Sequence, residues 1–240
     1  MEATRHPGPQ IWLQGDPAEL KDMMQYGIGG LITNTIILKD LTAKYGQLRG
    51  LIQQYLDITD KELVVEVDGD TIEEFMYAAE AAYKLSPQVI IKVPTKKVGI
   101  QAHARLRDLG VKTMATTVFS LSQAVLVAAA GASWIAPFVG PTHAYGKDAV
   151  KFVAEIANAF HGRPNAPRIM GGIVRDAETA YLSYAGGADA LVTFPSVYWQ
   201  MLEHPGTTEW NNLFRNKWGD MEAAGVLEGF VRANVAAGAR

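Results

Sequence analysis

Short apolar runs recur along the chain: IWLQ (11–14), GGLITN (29–34), LVVEVD (63–68), VIIKVP (89–94), VKTMATTVF (111–119), ASWIAPFVG (132–140), PRIMGGIV (167–174) and ADALVTFP (188–195). Most are continuous rather than alternating, the pattern of strands covered on both faces in a parallel sheet. The stretches between them have helical spacing. Ile72, Phe75, Ala79 and Ala82 fall on one face of 71–85, with Asp70 or Thr71 as cap and two glutamates in the first turn. Pro17 suits the start of a helix over 17–27, Leu20, Met23 and Met24 its inner face, and Gly27 its stop. Ser120 is placed to cap a helix running to Ala130 that Gly131 ends. AAAGAS (128–133) and YAGGAD (184–189) read as one helix-to-strand turn used twice, with glycine in the left-handed position.

Eight strands alternating with helices predict α/β architecture, a single (β/α)8 TIM barrel of near-minimal size. A doubly wound open sheet is the alternative, but no G-x-G-x-x-G follows the first strand. The segment from Ser196 holds Trp199, Trp210, Phe214 and Trp218 and is too long for one closing helix. It predicts an additional C-terminal helix against the barrel or a neighbouring subunit. The expected organisation is one barrel domain over 1–240, with 205–240 as a C-terminal helical extension.

Composition narrows the chemistry. The 240 residues carry a formal net charge of −3 with both signs interspersed, so no basic stripe points to nucleic acid or an anionic membrane. The absence of cysteine excludes disulfides, thiolate catalysis and cysteine metal sites, and is compatible with a reducing cytosol. The opening MEATRHPGPQ lacks the apolar core of a signal peptide, and AVLVAAAGA (124–132) is far too short to span a bilayer. A soluble cytoplasmic protein is expected.

VIIKVPT (89–95) sets a lysine inside an apolar strand. Burying a lone charge costs several kcal/mol or more unless it is paired or neutralised. One reading is an edge strand with Lys92 facing water. The other is an amine whose pKa is depressed so that it attacks a carbonyl. Barrel chemistry sits at the C-terminal ends of strands. Those ends hold Gln14, Thr33, Asn34, Glu66, Asp68, Lys92, Thr116, Phe138, Gly171, Gly172 and Thr193. Gln14, Asn34, Glu66, Lys92 and Thr116, from five strands near one end, are expensive to bury unless they satisfy one another. A buried Lys92–Glu66 ion pair filling the barrel is the structural alternative; a carbonyl-reactive site is favoured. No pair of histidines falls at strand ends, which disfavours a metal-dependent barrel.

Leu13-Gln14, Thr33-Asn34, Glu66-Val67, Lys92-Val93-Pro94, the T-x-x-F-S-x-x-Q-A of Thr116–Ala124 and the PFVG of 137–140 occur in that order. The order resembles the transaldolase and fructose-6-phosphate aldolase family of class I aldolases, over roughly residues 11–204. The resemblance implies a Schiff base. Lys92 attacks a ketose carbonyl, the iminium acts as electron sink, and the C3–C4 bond breaks to leave a three-carbon enamine. A transferase passes that unit to a second aldehyde; an aldolase releases it to water. Glu66 and Thr116 match the pair holding the catalytic water, and Asn34 the residue that binds donor hydroxyls. Thr33 and Phe138 fall in matching motifs. Glu66 and Phe138 stand where the aldolase branch carries glutamine and tyrosine, which favours transfer. The resemblance implies sugar or sugar-phosphate substrates of the pentose phosphate type, no cofactor, no metal, and a homo-oligomer.

The substrate end departs from the family. The first strand should end in Leu-Asp, the aspartate being the acid/base at the C4 hydroxyl; Gln14 stands there and has no proton to exchange. Asp16, Asp68 and His143 are the nearby alternatives. PFVGR has become PFVGP at Pro141, the Ser-x-Arg after the seventh strand has become Gly172, Ile173 and Val174 with Arg175 one place late, and TNP is TNT at Thr35. Losing guanidinium and hydroxyl donors weakens bidentate phosphate binding. Arg175 and His143, with the backbone N–H groups of Gly171 and Gly172, are the candidates for a different anion site. The expectation is a transaldolase-like enzyme with altered substrate choice, its sugar unphosphorylated or carrying another group such as a sulfonate. A dihydroxyacetone-releasing aldolase and a sugar-binding barrel without turnover are the alternatives.

Overall fold

A computed structural model describes residues 8–231. Eight strands close in sequential order into one parallel barrel. They are β1 (Gln10–Leu13), β2 (Gly30–Ile32), β3 (Glu62–Glu66), β4 (Val89–Pro94), β5 (Thr113–Val118), β6 (Trp134–Pro137), β7 (Arg168–Gly171) and β8 (Ala190–Thr193). Closure leaves no edge strand, so the reading of Lys92 as an edge residue facing water does not hold.

The helices that follow them are α1 (Pro17–Met23), α2 (Thr35–Tyr45), α3 (Leu48–Asp57), α4 (Ile72–Tyr83), α5 (Lys97–Asp108), α6 (Leu121–Ala130), α7 (Val139–Ala144), α8 (Ala149–Phe160), α9 (Ala177–Ala185) and, after β8, α10 (Pro195–Gln200). Local chemistry sets their ends. Thr71 caps α4 in a capping box with Glu74, and Ser120 caps α6, which Gly131 closes at φ 104°. The helix expected over 17–27 ends early: α1 gives way to a 3₁₀ turn at Met24–Tyr26, and Gly27 then takes the left-handed conformation. The second repeated turn uses Gly187, at φ 90°, rather than Gly186.

Apolar side chains on both faces of the strands explain the continuous runs. The outer faces of β1–β4 pack on α1–α5 through Leu13, Leu31, Val65, Ile91, Phe75 and Leu106. Inward residues recur every second position and fill the lumen: Trp12, Ile32, Val64, Ile90, Met114, Trp134, Met170 and Val192. The Trp12 and Trp134 rings meet edge-on at 5.4 Å. Gly30 makes room for the first of them, since a Cβ there would stand 2.6 Å from the Trp12 ring. This apolar plug forms the floor under the C-terminal mouth.

The chain divides into two compact units, Met1–Met201 and Leu202–Arg240. Within the second, α11 (Pro205–Ala223) carries Trp210 and Trp218, and Trp210 packs on Phe214 one turn away at 5.5 Å, whereas Trp199 lies in α10; residues 232–240 of the expected extension lie outside the described residues. Among the described residues no helix is long and apolar enough to cross a membrane.

Candidate active site

Above the floor, the next inward positions are polar. Gln14, Asn34, Glu66 and Lys92 come from β1 through β4 and the turns that leave them, and so stand side by side along one arc of the rim. With Thr116, Phe138, Gly172 and Arg175 they line one cavity of about 350 Å³. Glu66 and Lys92 are register partners on adjacent strands, which sets Nζ 2.9 Å from Oε2. Lys92 is only 6% exposed. Burial pushes its amine below the ordinary lysine value, and the Glu66 charge and hydrogen bond oppose that shift.

Asn34 works with both ends of its amide. Its Oδ1 accepts from the Ile37 N–H at 2.9 Å and caps α2. Its Nδ2 donates to Gln14 Oε1 at 3.0 Å. Thr116 reaches the cavity beside a register shift between Ala115 and Val118 in the pairing of β5 with β6. The extra residue, Thr117, sits at φ 58° and also lines the cavity; its hydroxyl donates to Thr116 O at 2.6 Å and accepts from Thr95 N at 3.1 Å. Ile173, at the mouth, takes φ 57°. Two β-branched residues in the left-handed region are uncommon, and such strain gathers at functional sites.

Thr33, His143 and Gly171 lie outside this cavity, and the Gly172 N–H expected to hold an anion is given to Pro137 O at 2.8 Å. Thr33 is fully buried outside the cavity: its hydroxyl donates to Val64 O at 3.1 Å and accepts from Glu66 N at 3.3 Å, which pins the rim where Glu66 begins. His143 is in α7 rather than a loop, 3.7 Å from Glu178, and lines a neighbouring cavity that shares Arg175 and Ile173 with the first. Two alternatives to the missing aspartate are also committed elsewhere. Asp16 takes Lys44 at 2.6 Å, Tyr45 at 2.5 Å and the Ala18 N–H at 2.9 Å; burial pushes its carboxyl up, but these bonds hold it low. Asp68 takes Lys96 at 2.5 Å and the Gly69 N–H at 2.8 Å and is held low in the same way against its partial burial.

Sequence reasoning missed Ile36, Ile37, Ile173 and Phe194, which give the mouth its apolar wall. Phe194 was within reach, two positions beyond the inward Val192. Ile173 carried no signal, because its place depends on the strained turn after β7. Among the described residues no three His, Cys, Asp or Glu side chains converge as a metal site would require.

The chain matches the Transaldolase/Fructose-6-phosphate aldolase family over residues 18–237. It is 31% identical over 209 residues to a probable transaldolase of Carboxydothermus hydrogenoformans, covering 86% of this chain and 97% of the relative. It is 29% identical to one of Caulobacter vibrioides, covering 87% and 96%, and 28% identical to one of Symbiobacterium thermophilum, covering 85% and 94%. The chain belongs to the transaldolase/fructose-6-phosphate aldolase family and is an enzyme of the class I aldolase and transaldolase type.

Proposed function

We propose that this enzyme forms a Schiff base at Lys92 and transfers a three-carbon dihydroxyacetone unit from a ketose to an aldehyde. The observation that carries the reading is the Lys92–Glu66 pair, 2.9 Å apart in the wall of a cavity with room for a small sugar. Glu66 takes a proton from the ammonium, and the freed amine attacks the carbonyl at C2. Thr116 offers a hydroxyl for the water that moves protons at the carbinolamine. Asn34 keeps one Nδ2 hydrogen beyond its bond to Gln14 for a donor hydroxyl. Phe138 presents a ring without a hydroxyl, packed on Phe119 at 5.3 Å, which suits retention of the three-carbon unit for an acceptor.

The mouth bears on the far end of the substrate. Among the described residues lining the cavity, Arg175 is the cation at this end, amid Ile36, Ile173 and Phe194. Pro141 and Gly172 carry no donor side chain where the family has arginine and serine. This wall suits a sugar whose tail is uncharged or carries one anion held by a single guanidinium. A second reading, an aldolase that releases dihydroxyacetone, draws support from the solvent-facing mouth.

Trapping tests the proposal. Borohydride added during incubation with fructose 6-phosphate or free fructose should leave a reduced three-carbon adduct on the Lys92 peptide, absent in Lys92→Met. Product formation that needs an added aldehyde supports transfer, and turnover without one supports release. A wild-type chain that gains no adduct from any ketose would refute Schiff-base chemistry at this site.

A further inference from the structure

We infer that Glu66 is the one acid/base group for both reacting centres, the carbinolamine at C2 and the hydroxyl at C4, while Gln14 is a fixed hydrogen-bond donor to the oxygen of the carbon that is split off. The inference rests on the Schiff-base reading above. The family places a second carboxylate at the end of β1, and this chain has none there. Among the described residues lining the cavity, Glu66 is the one carboxylate. Asp16 and Asp68 are bound to Lys44 and Lys96, and neither lines the cavity.

The polarity of Gln14 is set from the backbone. The Ile37 N–H can only donate, so the Asn34 atom 2.9 Å from it is the oxygen. The other end of that amide is therefore the NH₂, and the Gln14 atom 3.0 Å from it is the oxygen. The Gln14 NH₂ is left for the cavity. This order does not depend on telling amide oxygen from nitrogen by shape. Where an aspartate would take a proton, the chain offers N–H groups that can hold an oxygen but cannot accept a proton from it.

One carboxylate suffices when it cycles. Glu66 first takes a proton from the Lys92 ammonium and becomes the acid. The amine lone pair forms the N–C2 bond, and the carbonyl oxygen becomes the carbinolamine hydroxyl after the ammonium proton moves to it through water. Glu66 gives its proton to that hydroxyl, which leaves as water, and the iminium forms with Glu66 as carboxylate. Glu66 then accepts the C4 hydroxyl proton directly or through one water. The O–H electrons form the C4 carbonyl, the C3–C4 electrons form the enamine double bond, and the iminium nitrogen takes the displaced pair. Glu66 is again an acid, and the aldehyde oxygen lies on the Gln14 NH₂. The reverse sequence serves an acceptor aldehyde.

The test follows whole-ketose and three-carbon adducts on the Lys92 peptide through a borohydride-quenched time course with fructose 6-phosphate and free fructose. Glu66→Gln should slow both adducts, the fragment by about 10²–10⁴-fold, so that the whole-ketose adduct dominates. Adding Gln14→Glu to that variant puts a carboxylate on the other wall, with one oxygen still accepting from Asn34, and should raise fragment formation by roughly tenfold or more. A Glu66→Gln protein that keeps the wild-type ratio of fragment to whole adduct overturns the inference, because another base then splits the bond. So does a double variant that makes no more fragment than Glu66→Gln alone. If Glu66→Gln does not fold, Gln14→Glu by itself decides: a raised ratio supports the inference and an unchanged or lower one overturns it. No adduct on the wild-type chain is a separate result, which removes the Schiff-base reading and this inference with it.

Discussion

Two cations point into the lumen of the same barrel, from opposite ends of its strands. Lys92, near the C-terminal end of β4, faces a carboxylate at 2.9 Å and a cavity. Arg168, the first residue of β7, lies over the Trp134 ring with its guanidinium carbon 4.1 Å from the centroid. No carboxylate lies within salt-bridge distance of Arg168 among the described residues, and Asp189 and Glu62 act on it only from farther away. Burial pushes both groups down from their ordinary values. The consequence differs with the chemistry of the head group. An ammonium can surrender its proton and become a nucleophile, whereas a guanidinium stays charged at any working pH. On the proposed function, one end of the lumen serves covalent catalysis, and the other packs a permanent cation on an aromatic face.

The comparison breaks most sharply at Lys92→Arg. That change keeps the charge and a partner for Glu66 but removes the amine. Turnover should fall by on the order of 10⁴-fold or more, the scale at which loss of a covalent nucleophile is felt, while the folded circular-dichroism signal persists. Measurable turnover within tenfold of wild type would erase the distinction between the two cations.

A smaller effect appears in stability against pH. The folded value of Lys92 lies below 10.5, so between the two the unfolded chain holds a proton that the folded chain lacks. On this account stability rises with pH through that window. The cost of the buried ammonium is present below the folded value and gone above 10.5. Urea titrations should show the stability of wild type relative to Lys92→Met climbing as pH rises toward 10.5. The same difference taken for Arg168→Met should stay flat there.

The smallest effect is expected from Arg168→Met itself. Losing the contact with Trp134 and losing the buried charge oppose each other, so stability should change by about 1 kcal/mol or less. Turnover should stay within about threefold of wild type, since Arg168 enters no step at the opposite mouth. A loss comparable to that of Lys92→Arg would tie the two ends of the lumen together.

Much of this arrangement was legible in the sequence, for identifiable reasons. Each strand appears as an apolar run because helices cover its outer face and the lumen its inner one. The phase of each strand emerged only where polarity broke the run, at Gln14, Asn34, Glu66, Lys92 and Thr116, and those are the residues the cavity gathers. Thr33 was misplaced because it adjoins Asn34 and a one-residue step reverses the face of a strand. His143 was expected beside the substrate because it follows the sixth strand closely; the short α7 carries it into the neighbouring cavity instead. Ile173 was not legible, because a left-handed β-branched residue contradicts local preference and is imposed by the packing around it. There Gly140 approaches so closely that a Cβ would stand 2.2 Å from Ile173 O. The hydrogen-bond polarity of Gln14 was also hidden, since it passes through the cap that Asn34 makes on α2.

Whether the lumen makes the Lys92 amine available is measured directly by an NMR titration of ε-¹³C-labelled lysines. The Lys92 resonance is assigned by its absence in Lys92→Met. The account predicts a midpoint below 10.5, and a still lower one in Glu66→Gln, where the charge that opposes the effect of burial is gone. A midpoint at or above 10.5 in the wild-type protein would contradict it, leaving Lys92 a buried ion-pair partner like any other.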